Sequence, residues 1–423
     1  MSLSNNYPAI ATTLLQDFVK SRVFDPRITF TRASTATYFN SLGVLTTANN
    51  NVPRLDYNPS TLAPLGLLIE EQRTNSIRNN TMQGAVAGTP GTLPTNWITI
   101  GAGLGTLTQQ IVGTGISNGI TYIDVRISGT TSTISFGISP ESNTQISAAS
   151  GQNWTSSIYL ARVGGTTSNL TIIQRVVERT IVGSGVANTP TNITSSLGTS
   201  LSRFSVTRTL TDATTAFVTT DVLFEFLAGA AIDITLRIGL PQLELGAFAT
   251  SVIPTTTTAL TRSADVASMT GTNFSSWYNS AAGTMYAEIG SAPVNTIAQF
   301  AYELNDGLGG GLGRIFTRRN VGSFIATAVA DGGVTQADFN ALATVAGSAT
   351  YKVASALAAN DFALSLNGAA VVTDTSGTMP STISRLFLGQ NYGNSQVLNG
   401  YIQRISYYPT RLANAQLQAL TGT

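Results

Sequence analysis

Ile232-Asp-Ile-Thr-Leu-Arg-Ile238 places an apolar residue at every second position, with Asp233, Thr235 and Arg237 between them. A helix would scatter those four apolar side chains around its surface, whereas an extended chain gathers them on one face. The same alternation recurs in Thr121-Tyr-Ile-Asp-Val-Arg-Ile127, Trp154-Thr-Ser-Ser-Ile-Tyr-Leu160, Leu170-Thr-Ile-Ile173 and Arg203-Phe-Ser-Val-Thr207. No helical pattern separates these segments. Short strands at near-regular spacing predict an antiparallel sandwich of jelly-roll type over residues 81–254, ending in a linker of Pro254 and Thr255 to Thr258.

Residues 259–423 read as a second β-sandwich. Tyr351-Lys-Val-Ala-Ser-Ala-Leu357 and Phe362-Ala-Leu-Ser-Leu366 flank an Asn360-Asp361 turn, and Asn367-Gly368 leads into Ala370-Val-Val372. Both central residues of a type I′ turn need positive φ, which makes Asn-Gly a strong hairpin signal. Arg385-Leu-Phe-Leu388 and Gly400-Tyr-Ile-Gln-Arg-Ile-Ser-Tyr407 follow as strands. A C-terminal helix is predicted over Leu412 to Leu420 with Thr410 as its N-cap.

Residues 1–80 form a separate first segment. Ile10, Leu14, Leu15, Phe18 and Val19 fall on one stripe and predict a helix over Ala9 to Arg22. Pro53, Pro59 and Pro64 then argue for an irregular segment outside any central sheet. Phe30-Thr-Arg-Ala-Ser34 has a short echo in Leu260-Thr-Arg-Ser-Ala264. The expected fold class is all-β: a short N-terminal anchor segment with one helix, then two antiparallel sandwiches.

Composition narrows the function. The chain has 423 residues, 42% hydrophobic and 10% charged, with roughly a quarter Ser and Thr, 40 Gly, and neither His nor Cys. No His means no Ser/His triad and no histidine zinc ligand; no Cys means no disulfide, iron–sulfur cluster or thiol chemistry. A net charge of +1 offers no polybasic face for nucleic acid or an anionic membrane. Val222 to Leu240 is interrupted by Glu225, Asp233 and Arg237, so no membrane span is expected. Met1-Ser-Leu-Ser-Asn-Asn-Tyr-Pro8 lacks the pattern of a secretory signal.

Little of the remaining chemistry is catalytic. Gly307-Leu-Gly-Gly-Gly-Leu-Gly313 has no G-x-G-x-x-G register and no following helix, and reads as a flexible loop. Glycoside hydrolysis needs only two carboxylates, and Glu225, Glu244, Glu288, Glu303 and Asp306 are candidates. Tyr286-Ala-Glu-Ile289 and Ala301-Tyr-Glu-Leu304 supply one acid each, however, so no catalytic residue is assigned. Asp306, Asp331 and Asp338 are expected in Gly-rich loops and could give oxygens to a calcium ion, without regular ligand spacing. Aromatic rings can stack on the apolar faces of sugars, and Trp277, Tyr278 and Tyr392 are the candidate glycan-binding residues. Trp277 and Tyr278 are expected to be partly exposed because neighbours on a strand face opposite ways. Every basic residue but Lys20 and Lys352 is Arg, a preference that suits buried or interface ion pairs.

Several strings resemble a known family. Phe30-Thr-Arg-Ala-Ser-Thr-Ala-Thr-Tyr-Phe39, Pro53-Arg-Leu-Asp-Tyr57 and Gly66-Leu-Leu-Ile-Glu-Glu-Gln-Arg-Thr-Asn75 resemble the N-terminal region of fibre and spike proteins of tailed-bacteriophage virions. The part ending in Pro241-Gln-Leu-Glu-Leu-Gly-Ala-Phe-Ala-Thr250 is similar to their carbohydrate-binding-module-like jelly roll. Phe362-Ala-Leu-Ser-Leu-Asn-Gly368 and Leu398-Asn-Gly-Tyr-Ile402 resemble a concanavalin A-like lectin/glucanase domain.

The resemblance implies a non-enzymatic virion protein, usually a homotrimer. Residues 1–80 would anchor it to other capsid or tail proteins, and the sandwiches would face host surface polysaccharide. Two further readings stand beside it. One is a capsid decoration protein without glycan affinity; the other is a capsule depolymerase with paired carboxylates on one face.

Overall fold

A computed structural model describes residues 10–290, 293, 297–308 and 312–422. The expectations placed on Met1–Pro8, Ala9 and Gly309–Gly311 lie outside these residues. The chain divides into two units: an inserted one of Val44–Thr46 and Arg73–Arg262, and a host one of the residues up to Gly43, Thr47–Gln72 and Ser263 onward.

The inserted unit is a sandwich of two five-stranded antiparallel sheets. One runs Ser202–Thr209, Asn153–Gly165, Ala231–Leu245, Ile120–Thr130, Thr108–Ser117 in spatial order; the other runs Gly185–Asn192, Leu170–Arg179, Phe217–Phe226, Ser135–Ser139, Ile98–Gly101. Leaving out Thr108–Ser117 and Ile98–Gly101, this is jelly-roll order, with successive strands switching between the sheets except at the hairpin of Leu170–Arg179 and Gly185–Asn192. The alternation along Ile232–Ile238 is a division between core and solvent. Ile232, Ile234, Leu236 and Ile238 are buried in the core shared with Ile172, Val222 and Phe224, while Asp233 is exposed. Truncating one of these side chains to Ala would cost about 2–5 kcal/mol.

Thr255 is part of this unit and no free linker. Its hydroxyl accepts from the Asn80 amide at 3.0 Å, and its own amide donates to Asn80 Oδ1 at 2.7 Å. The strings Glu70–Asn75 and Pro241–Thr250 meet here as well. The Arg73 guanidinium lies 4.7 Å from the Phe248 ring centroid and donates to the Leu245 carbonyl. It occupies the space beside Gly246 where any Cβ would sit, 1.2 Å from Arg73 Nη1.

The host unit is a second sandwich. Its eight-stranded sheet is ordered Val372–Asp374, Asp361–Leu366, Tyr351–Ala358, Ala282–Gly290, Gly400–Tyr408, Pro64–Ile69, Leu55–Tyr57, with Leu14–Asp17 also paired to Gly400–Tyr408. The seven-stranded sheet is ordered Thr29–Thr31, Val266–Thr270, Arg385–Leu388, Gln299–Asn305, Arg314–Arg319, Phe324–Asp331, Val334–Thr344. Ile69, Met285, Val353 and Ile405 from the first sheet share one apolar core with Met269, Leu304, Ile315 and Leu386 from the second. Asn360, Asn367 and Gly368 all take positive φ at the expected turns.

Three readings of the N-terminal region are corrected. Residues 1–80 are not a segment apart, because the described residues up to Gln72 contribute strands to both host sheets. The helix expected over Ala9 to Arg22 is replaced, among the described residues, by the strand Leu14–Asp17 paired with Arg404–Tyr407. Leu14 and Phe18 are buried in the host core, whereas Ile10 and Leu15 are exposed, so the stripe is not a single face. The prolines do not keep the segment out of the sheet. Pro64 opens its strand and Pro53 and Pro59 flank Leu55–Tyr57, positions where a missing N–H is tolerated. At the centre of this ladder, Gly66 has φ +112°, and a Cβ would meet the Ile402 carbonyl oxygen at 2.4 Å. The C-terminal helix spans Asn414–Thr421, with Ala413 rather than Thr410 at its N-cap.

Arg32, Arg54 and Glu70 of the phage-like strings converge in the host unit. Asp265 accepts from Arg32 at 3.0 Å, from Arg54, and from the Glu70 amide at 2.9 Å; Arg54 also pairs with Glu70 at 2.9 Å. Arg32, Arg54 and Asp265 are completely enclosed. The preference for Arg over Lys therefore has an internal use here, because a rigid fork of five N–H donors can serve two carboxylates and a backbone carbonyl in one fixed geometry.

Candidate functional site

Of the three candidate aromatics, two follow a single helical turn, Thr272–Ser275, and are not on a strand. The turn carries Trp277 inward. Its ring meets Phe274 edge-on at 4.9 Å and Tyr407 at 5.0 Å, and its Nε1 donates to the Asn273 carbonyl at 3.0 Å. At 3% exposed it offers no face to a sugar, which corrects the expectation that it is partly exposed. Tyr278 is half-buried against Phe274, at 4.8 Å between ring centroids. Its hydroxyl is buried without a hydrogen-bond partner among the described residues, and burial, together with Tyr407, pushes its pKa up. Tyr392 is 44% exposed and packs edge-on against Phe387 at 6.3 Å.

Tyr278 lines an open recess of about 620 Å³ in the host unit. Phe274 and Ile383 add apolar floor, and Thr272, Ser275, Ser280 and Ser384 ring it with exposed hydroxyls. Arg385 closes one side, with its Nε buried and without a hydrogen-bond partner. The guanidinium needs Gly307, where a Cβ would come within 1.9 Å of Arg385 Nη2. Neither Trp277 nor Tyr392 lines the recess, so the structure does not gather the three predicted residues.

The candidate acids are dispersed. Glu303, on the seven-stranded sheet, accepts from Arg314 at 2.7 Å and Asn305 at 3.1 Å; burial pushes its pKa up against the pull of Arg314. Glu288, on the eight-stranded sheet, has Lys352 at 3.9 Å and accepts from the Tyr286 hydroxyl at 3.3 Å. Glu244 is buried and accepts from the Thr250 amide at 3.0 Å, while Glu225 is exposed. Asp306 accepts from the Leu308 and Gly313 amides, Asp331 from Thr378, and Asp338 lies exposed on the strand Val334–Thr344 instead of in a loop. Among the described residues, no three of His, Cys, Asp and Glu come together as a metal site.

Sequence reasoning missed a second recess, of about 480 Å³, on the outer face of one jelly-roll sheet. Thr99 and Asn188 lie at its two ends, with Arg175, Val177 and Arg179 between them and Asn143 from a loop. Arg175 is held by Asp221 through two hydrogen bonds of 2.8 and 3.0 Å. Arg179 is 7% exposed and, among the described residues, donates only to neutral acceptors, Thr219 Oγ1 at 2.7 Å and the Gly183 carbonyl at 3.2 Å. Burial lowers its pKa. The available signal was Arg175-Val-Val-Glu-Arg179, two cations four apart on what reads as a strand, hence on one face.

No protein-family model matches the chain, and no curated protein matches it. Among solved structures it is similar to the CBM40 module of the Ruminococcus gnavus IT-sialidase bound to α2,3 sialyllactose, with TM-score 0.31 and 19% identity over 34% of this chain and 84% of that one. The NanB sialidase of Streptococcus pneumoniae gives TM-score 0.31 and 14% identity over 36% of this chain and 26% of that one. The leech intramolecular trans-sialidase gives 0.30 and 17% over 34% and 24%. Likeness at this level carries no argument about ligand or activity.

Proposed function

We propose that the protein is a non-catalytic structural component of a tailed-bacteriophage virion, acting as a trimeric fibre or spike that attaches the particle to glycans on the host surface. The observation that carries glycan binding is the Tyr278 recess: an aromatic and apolar floor for the C–H face of a sugar, a rim of hydroxyls, and an Arg385 Nε that has no partner among the described residues. Glu288 and Glu303 lie on different sheets and each has its own basic partner, Lys352 and Arg314, which supports binding without hydrolysis, since a glycosidase needs two carboxyls facing one bond. The virion role rests on the phage-like strings that meet at Asp265 and at Gly246. Shallow sites suit such a role, because avidity across copies can raise apparent affinity about 10²–10⁴-fold.

The test is light scattering of the purified chain, then a glycan array and whole bacteria with the same sample, and antibody labelling of purified particles. A trimer that binds sugars and loses that binding in Tyr278→Ala, while Trp277→Phe retains it, is the expected result. A monomer that binds neither sugars nor cells would overturn the attachment reading and leave a decoration protein.

A further inference from the structure

We propose that the recess on the outer face of the inserted jelly roll is a second, separate binding site, built for the carboxylate of an acidic saccharide. The inference rests on the glycan-binding reading for its ligand class, and on the inserted unit alone for its geometry.

The strand Leu170–Arg179 sends Ile172 and Val176 into the apolar interior, which leaves Arg175, Val177 and Arg179 on the outer face. Arg175 and the enclosed Asp221 form a bidentate pair and cancel. Arg179 is almost as enclosed, yet no carboxylate lies within ion-pair distance of it among the described residues. Both oxygens of Asp221 are already taken by Arg175. A buried cation without a counter-ion is costly, and proteins rarely retain one without a use for it. The ionisable groups of the recess therefore leave a surplus of one positive charge.

The open hydrogen-bonding positions agree. Arg175 Nη1 and Arg179 Nη2 make no hydrogen bond among the described residues, leaving N–H donors from two planar forks. Asn143 lines the same recess, and its Oδ1 is buried and lacks a donor among the described residues. The site thus asks for one negative charge with paired oxygens, plus a hydroxyl or amide to donate to Asn143. A halide has no donor to give. A phosphate monoester brings about 1.5–2 charges where one is wanted. A sugar carboxylate flanked by ring hydroxyls supplies both features.

The experiment is calorimetric titration of the full chain with trigalacturonic acid, a hyaluronan tetrasaccharide and sialyllactose, each beside its methyl ester. At least one free acid should bind, with its ester at least about tenfold weaker. Arg179→Gln should weaken the acid about tenfold or more, and Asn143→Asp should do the same by setting a like charge in the recess. Because Arg179 is buried and its variant could fail to fold, the partly exposed Asn143 variant decides in that case. Free acids that do not bind, esters that bind equally, or an Asn143→Asp protein with unchanged affinity would each overturn the site. Tyr278→Ala separates the two readings. Neutral glycans bound through Tyr278 with no acid bound would overturn this inference and leave the first site standing; acid binding indifferent to Tyr278→Ala supports it.

Discussion

The protein buries arginines in two ways. In the host sandwich, Arg32 and Arg54 face Asp265 and Glu70, so two positive charges meet two negative ones away from water. In the inserted sandwich, Arg175 takes both oxygens of Asp221, and Arg179 stands beside it at an open recess with neutral acceptors alone among the described residues. The first cluster is complete within the chain and serves the fold, fastening the N-terminal strands to Asp265. The second is short of one carboxylate. Charge balance, more than burial, separates a structural ion cluster from one that awaits a ligand.

That contrast can be broken by experiment, most severely at Asp265. Asp265→Asn leaves two enclosed guanidiniums with Glu70 alone and should destabilise the host sandwich by about 3–5 kcal/mol. Peptide-resolved hydrogen exchange should show faster opening in the Gly400–Tyr408 and Val266–Thr270 strands; a loss under about 1 kcal/mol would mean that the cluster is not what holds the N-terminal strands.

A smaller stability loss, about 1–3 kcal/mol, is expected for Asp221→Asn, because Arg175 keeps some access to water. The same change raises the surplus in the recess from one cation to two, so carboxylated sugars should bind more tightly as stability falls. If affinity fell too, Asp221 would be shaping the recess instead of setting its charge.

Glu178 sits between the two arginines in sequence but on the opposite face of the strand. Burial pushes its pKa up, yet the Thr215 hydroxyl, the Thr211 and Asp212 amides and Arg208 together outweigh that and hold it below the ordinary 4.5. The unfolded chain therefore takes up this proton at a higher pH than the folded one. The stability it contributes is complete above pH 4.5 and is lost as the pH falls through the depressed folded value. Glu178→Gln should cost about 2 kcal/mol at neutral pH and flatten that part of the acid limb in denaturant titrations; an unchanged limb would assign it to other carboxylates. The smallest effect is expected at the exposed pair of Arg126 and Asp233, where Arg126→Ala should leave both stability and sugar binding unchanged.

The strands of this fold were legible where one face meets a core and the other meets water, as along Ile232–Ile238. They were illegible where tertiary pairing overrides local pattern. Leu14, Leu15 and Phe18 are spaced for a helix, but the free side of the strand Gly400–Tyr408 offers them a ladder. Pro64 reads as a breaker until its place at the head of a strand is known. Tyr278 could be picked out as an aromatic of interest; that Trp277 turns inward depends on Phe274 and Tyr407, the latter contributed from far along the chain. The Arg179 recess depends on which strand carries Asp221 and how it is registered, and local sequence does not encode either.

The insertion also sets an order of events in the cell. Asp265 follows Glu70 by 195 residues. At roughly 5–20 residues per second, a ribosome takes about 10–40 s to cover that distance, and meanwhile Arg32, Arg54 and Glu70 have emerged without the carboxylate that joins them. The jelly roll is itself made during that interval, and its last strand, Leu260–Arg262, is complete just before Asp265 appears. Its entry and exit strands, Arg73–Asn75 and Leu260–Arg262, pair with each other, so a completed insert presents its ends as neighbours. The waiting host strands then close across a short gap, at a far smaller loop entropy than the intervening sequence would suggest. Synthesis rate and chaperone supply should accordingly govern the yield of the host sandwich more than that of the jelly roll.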